Sequence, residues 1–179
     1  VGRGDDPSTQ MGALVGEDHM NSVLDYIQIG IDEGAKLVCG GKRITSGGLE
    51  HGCFVEPTIF VDTTPDMRIV QEEIFGPVLV VQKFKDEAEA IELANDTPYG
   101  LAAGVFSQDG AKALRVIKKI RAGITSINAY NLAYNEAPWG GYKQSGLGRG
   151  LGTFGLDEFS EMKQININLE VSPTNWFEN

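Results

Sequence analysis

Thiols and imidazoles are scarce in this chain: its 179 residues include two cysteines, Cys39 and Cys53, and two histidines, His19 and His51. Neither pair stands at CxxC or HxxxH spacing, so no structural metal site is expected. Two cysteines give no basis for a disulfide framework, and a reduced, cytoplasmic protein is the expectation. Long hydrophobic runs are also missing. Pro77-Val78-Leu79-Val80-Val81 is among the longest and is far too short to cross a bilayer. No charged-then-apolar signal segment opens the chain, so no membrane partner is expected. Basic residues are in deficit, 15 Lys and Arg against 25 Asp and Glu, for a formal net charge of −10. That argues against a nucleic-acid partner, which requires a basic face. Lys112, Lys118, Lys119 and Arg121 form a small basic cluster, which at helical spacing reads as a solvated face.

What is present is a recurring short apolar strand followed by an amphipathic helix. Residues 17–33 read as a helix, with Met20, Val23, Leu24, Ile27 and Ile31 on one face and Gly34 as the stop signal. Strands are expected over residues 36–39, 58–61, 101–106 and 124–128, and a fully buried one over 77–84. Helices are expected over 86–95, with Ala90, Ile91 and Ala94 inward, and over 110–120, with Leu114 and Ile117 inward. This rhythm predicts an α/β fold with parallel strand pairing through crossover helices. Residues 129–152 are rich in Gly, Asn and aromatics without a period, and a loop of that length inside a domain is more often functional than idle. A short helix over 156–162 and an alternating, half-buried strand over 163–169 close the reading.

No complete catalytic set emerges from these residues. Cys39 ends a strand before Gly40-Gly41 and Cys53 precedes another, so both read as small core residues without the base or positive field that activates a thiol. There is no GxSxG elbow and no Walker A loop. Gly146, Gly148, Gly150 and Gly152 recur at every second position rather than as GxGxxG. Gly76 and Gly140-Gly141 mark places where the backbone turns or approaches closely.

Three stretches are distinctive. Glu72-Glu73-Ile74-Phe75-Gly76-Pro77-Val78 resembles the EEIFGPV signature of the aldehyde dehydrogenase superfamily. The run from Pro138 through Trp139-Gly140-Gly141-Tyr142-Lys143-Gln144-Ser145 to Gly146-Leu147-Gly148-Arg149 resembles its PFGGxKxSGxGR segment. Asn95, Tyr99-Gly100-Leu101 and Asn128 match the spacing between the two. The resemblance covers essentially the whole chain. It implies a parallel sheet with helices on both faces over residues 1–162, as in the family's catalytic domain. It also implies an oligomerisation strand and tail over 163–179, and hence a homo-oligomer.

The resemblance also assigns roles. Glu73 matches the glutamate that holds the nicotinamide ribose hydroxyls of NAD or NADP, a task suited to a carboxylate because both its oxygens accept. Phe75 matches the aromatic beside the nicotinamide. Asn128 is kept as a structural residue that caps a turn. Trp139 stands where much of the family has Phe, at the mouth of the aldehyde pocket, and is similar to betaine aldehyde dehydrogenases. Their trimethylammonium substrate has no hydrogen to donate and is best held by aromatic faces. The ending Asn175-Trp176-Phe177 is similar to bacterial members of that subfamily. Gly150, by contrast, stands where the family usually has a glutamate thought to relay protons. The family's nucleophilic cysteine and general-base glutamate fall upstream of Val1, so this chain contributes no catalytic residue of its own. In the family the thiolate attacks the aldehyde, hydride passes to the cofactor, and activated water releases the acid. The competing expectations are a non-catalytic interaction domain that keeps the fold, or an aldehyde dehydrogenase of different substrate specificity.

Overall fold

A computed structural model describes residues 1–130 and 132–170. Helix α1 (Glu17–Asp32) opens with Glu17 and Asp18, favourable beside the positive end of the helix dipole. It stops at Gly34, which takes φ +93 while the amides of Glu33, Gly34 and Ala35 close on carbonyls of the last turn. Met20, Val23 and Ile27 project into a core completed by Ala35, Val55, Phe60 and Ile69. Ile31 lies outside it, 41% exposed, because Gly30 takes the inward position against Ile69.

That core sits on a three-stranded sheet of β1 (Lys36–Cys39), β2 (Thr58–Val61) and β3 (Val78–Val80). Helix α2 (Arg68–Gln71), absent from the sequence expectation, connects β2 to β3, which pair in parallel. β1 and β2 pair antiparallel, contrary to the all-parallel expectation. The reason lies between them: residues 40–57 hold no helix, and the chain doubles back through an Arg43–Val55 bridge. Without a crossover helix the return strand runs antiparallel. The fully buried strand over 77–84 is also corrected. β3 is three residues long and Leu79 is 57% exposed, since among the described residues β3 pairs with β2 alone.

The second half contains α3 (Glu87–Asn95), β4 (Tyr99–Gly100), β5 (Ala102–Val105), α4 (Gly110–Ile117), β6 (Ile124–Ile127), β7 (Tyr142–Lys143) and α5 (Phe154–Asp157). β5 and β6 pair in parallel around α4, and β4 pairs with β7 antiparallel. Both longer helices are capped by carboxylates, the Asp86 side chain accepting from Glu89 N and that of Asp109 from Lys112 N. Arg115 grips Glu87 with two nitrogens and ties α4 to α3. On α4 the inward positions are Ala113 and Ile117. Leu114 is 48% exposed, and on α3 Ala94 is exposed as well. The basic residues Lys112, Lys118, Lys119 and Arg121 are solvated, as their spacing predicts.

The fold class is thus α/β, with parallel and mixed pairing spread over three small sheets. The expected helix over 156–162 is a single turn, α5. Residues 163–169 form no ladder among the described residues and are exposed throughout, not half-buried. A strand gains its regularity from a neighbour, and among the described residues none pairs with this stretch. Residues 171–179, with Asn175-Trp176-Phe177, lie outside the described residues. No helix among those described is long and apolar enough to cross a membrane.

Candidate functional site

The distinctive turn at residues 72–78 is held by one stripe of α1. His19, Val23 and Tyr26 fall at i, i+4 and i+7 and therefore on one helix face. Tyr26 Oη donates to Glu72 Oε2 at 2.7 Å. Val23 packs against Gly76 so closely that a Cβ there would sit 2.6 Å from a Val23 methyl, the close approach its glycine implies. The Phe75 carbonyl lies 2.6 Å from His19 Nε2. These partners are 46 and 56 residues away in sequence, so local pattern gives no sign of them.

Glu72 is the anchored acid of the pair. Arg68 reaches it bidentately at 2.8 Å through both Nε and one terminal nitrogen, and its guanidinium lies 5.5 Å from the centre of the Tyr26 ring. Hydrogen bonds from Arg68 and then Tyr26 hold the Glu72 carboxyl down at about 2, and the same pairing raises Arg68. A depressed carboxylate contributes stability above its unfolded value of 4.5 and loses it as pH falls toward 2. The pair is solvent-exposed, so the effect is small. Melting temperatures of the parent and of Glu72→Gln are expected to differ slightly above pH 5 and to converge between 4.5 and 2. A gap that widens in acid contradicts the assignment.

Glu73 and Phe75 flank Ile74, which packs on the core, so both point away from it. Glu73 is exposed and makes no hydrogen bond among the described residues, leaving both carboxylate oxygens free to accept. Phe75 is 73% exposed and adopts φ +59, a left-handed backbone that aromatic residues rarely take.

Trp139 lies elsewhere. Its backbone forms a two-way bridge with Gly150, at 2.7 and 2.8 Å, closing the Gly-rich loop on itself. Trp139 borders an open cavity of about 250 Å³ shared with Thr125, Ser126, Leu132, Tyr134 and Pro138, and among the described residues no charged one lines it. None of residues 72–78 borders this cavity, so the chain does not by itself unite Trp139 with Glu73 and Phe75.

The other motif residues form a hydrogen-bonded knot. Lys143 donates to the carbonyls of Asn95 and Thr97 at 2.8 and 2.9 Å. Asn95 bonds Lys119 O and Arg121 N, and Ser145 Oγ accepts from Gly100 N. Asn128, at φ +53, exchanges two bonds with the Ser107 backbone. Arg149 bonds the Gly141 carbonyl and lies over the Tyr142 ring. Cys39 is exposed rather than buried, its sulfur 3.9 Å from the Pro57 carbonyl, while Cys53 packs against the core. No group of three or more His, Cys, Asp or Glu side chains is placed to hold a metal among the described residues.

Known proteins are similar to this chain in sequence and fold. The chain is 50% identical over 177 residues to the betaine aldehyde dehydrogenase of Bacillus subtilis, covering 99% of this chain and 36% of the relative. It is 52% identical over 164 residues to that of Brucella anthropi, covering 92% and 34%. The crystal structure of betaine aldehyde dehydrogenase from Staphylococcus aureus in complex with NAD+ superposes with a TM-score of 0.91 at 46% identity, covering 97% of this chain and 35% of that one. The chain therefore spans about a third of the length of the curated relatives it matches. The family model described as aldehyde dehydrogenase family matches residues 1–165, and with the two signature segments folded as above, the chain belongs to that family.

Proposed function

We infer that this chain supplies one part of an NAD-dependent aldehyde dehydrogenase that oxidises betaine aldehyde to the acid. The observation that carries the substrate is the uncharged cavity bordered by Trp139 and Tyr134. A lining that includes two aromatic residues and, among the described residues, no cation suits a quaternary ammonium, which needs π faces rather than hydrogen-bond acceptors. NAD as cofactor is supported by the complex of the similar Staphylococcus aureus enzyme. The chain's own residues fit it: Glu73 offers two unengaged oxygens to a pair of ribose hydroxyls, and Phe75 offers an exposed ring face. When bound, NAD supplies the hydride acceptor. Glu73 and Phe75 then orient its nicotinamide end, and Trp139 orients the substrate.

The same reading gives residues 163–179 the role of an assembly segment in a homo-oligomer. Ile165, Ile167 and Leu169 alternate along an exposed stretch, a pattern that invites pairing with another chain. Two free cysteines agree with a reducing, cytoplasmic setting.

On this reading the thiol chemistry comes from outside this chain, and among the described residues neither Cys39 nor Cys53 bonds to a base. The intact enzyme is expected to form NADH from betaine aldehyde, and the 179-residue chain alone to form none above background. Absorbance of NADH under matched conditions measures both. Turnover by the chain alone that is abolished by alkylating Cys39 or Cys53, or an intact enzyme inert toward betaine aldehyde, contradicts the proposal.

A further inference from the structure

We propose that His19 is the positioning residue that fixes Phe75 against the nicotinamide, a role that rests on the reading of Phe75 given above. Three observations converge on it. Phe75 holds a left-handed backbone, φ +59, in which an aromatic side chain is disfavoured and which therefore needs an external hold. His19 Nε2 stands 2.6 Å from the Phe75 carbonyl. A carbonyl only accepts, so Nε2 carries the proton and donates. The two rings also meet at 5.9 Å between centroids and 50° between planes, so the imidazole borders the exposed phenyl as well as gripping its backbone.

A fourth observation sets the chemistry of the hold. His19 Nδ1 is buried and has no hydrogen-bond partner among the described residues. A proton there would be a buried donor without an acceptor, a costly arrangement. The ring therefore serves as a single-ended donor from Nε2, and its orientation is set by the Phe75 carbonyl. Val23, one turn further along α1, blocks movement on the Gly76 side. With the carbonyl held by His19 and Gly76 packed against Val23, the backbone that presents the phenyl is fixed on both sides.

The proposal separates His19 from residues that merely stabilise α1. If His19 acts through Phe75, removing Phe75 makes His19 irrelevant to NAD; if it only supports the fold, the two losses multiply. In the intact NAD-dependent enzyme, His19→Leu is expected to raise the KM for NAD roughly fivefold, as for loss of one hydrogen bond, with the KM for aldehyde unchanged. His19→Gln, whose amide nitrogen can replace Nε2, should restore the parental value, whereas the shorter His19→Asn should not. The double variant with Phe75→Leu should match Phe75→Leu alone. Should His19→Leu fail to fold, the Gln and Asn pair decides the matter.

A His19→Leu enzyme with parental NAD KM, a Gln variant as impaired as Asn, or a double variant equal to the product of the singles overturns the proposal. Phe75→Leu without effect on the NAD KM means instead that the reading of Phe75 itself is wrong.

Discussion

Gly123→Ala is expected to lower stability by about 3 kcal/mol, at the upper end of what overpacking costs, and to lower the melting temperature by roughly 6–12 °C. A Cβ at Gly123 would sit 1.8 Å from the Gly140 carbonyl oxygen and 2.9 Å from its carbon. Those atoms are backbone, so no side-chain rotation relieves the clash. Retreat of the 140–142 segment would break the β4–β7 pairing and the bridge that seats Trp139. The effect is steric rather than conformational, because Gly123 does not occupy the left-handed region. Gly110, in the first turn of α4, provides the contrast. Nothing lies within 4 Å of its would-be Cβ, and Gly110→Ala should be neutral or mildly stabilising. Thermal unfolding of the two variants measures the difference, and a Gly123→Ala protein that melts like its parent contradicts this packing.

Helices were the most legible elements, because period and punctuation coincide. α1 carries an apolar stripe closed by Gly34, and α3 and α4 begin at capping aspartates. Strand partners were less legible. The run at 77–84 is apolar enough for a buried strand, but burial depends on neighbours, and among the described residues β3 has one. Likewise, the alternation at 163–169 specifies two faces without specifying what covers either. The antiparallel return of β2 could have been read from the missing crossover helix between residues 39 and 58.

The candidate site divides along the same line. Glu73, Phe75 and Trp139 came from resemblance to family motifs, since an exposed acid and two aromatics carry no local signal of a ligand. What the motifs did not reveal is the support. His19, Tyr26 and Arg68 meet the 72–78 turn through the packing of α1 and α2. Lys143 and Ser145 prove to be scaffold, spending their polar atoms on the backbone around Asn95 and Gly100. Most of what makes those segments recognisable is thus the backbone architecture that presents a few exposed side chains.

Trp139 carries the substrate assignment. Its main chain is held by the bridge to Gly150, so replacing the side chain leaves that pairing in place. Tryptophan gives the strongest face for a cation, and cation–π contact contributes about 0.5–2 kcal/mol depending on desolvation. At ~1.4 kcal/mol per factor of ten, this corresponds to a selectivity of roughly tenfold for a cationic over a neutral substrate. A residue that only fills space would penalise both substrates alike. The decisive measurement is kcat/KM for betaine aldehyde and for a neutral branched aldehyde of similar size, in the intact enzyme and its Trp139→Leu and Trp139→Phe variants. The leucine variant is expected to lose betaine aldehyde selectively by roughly tenfold, with phenylalanine intermediate; equal losses on the two substrates would contradict the assignment of betaine aldehyde.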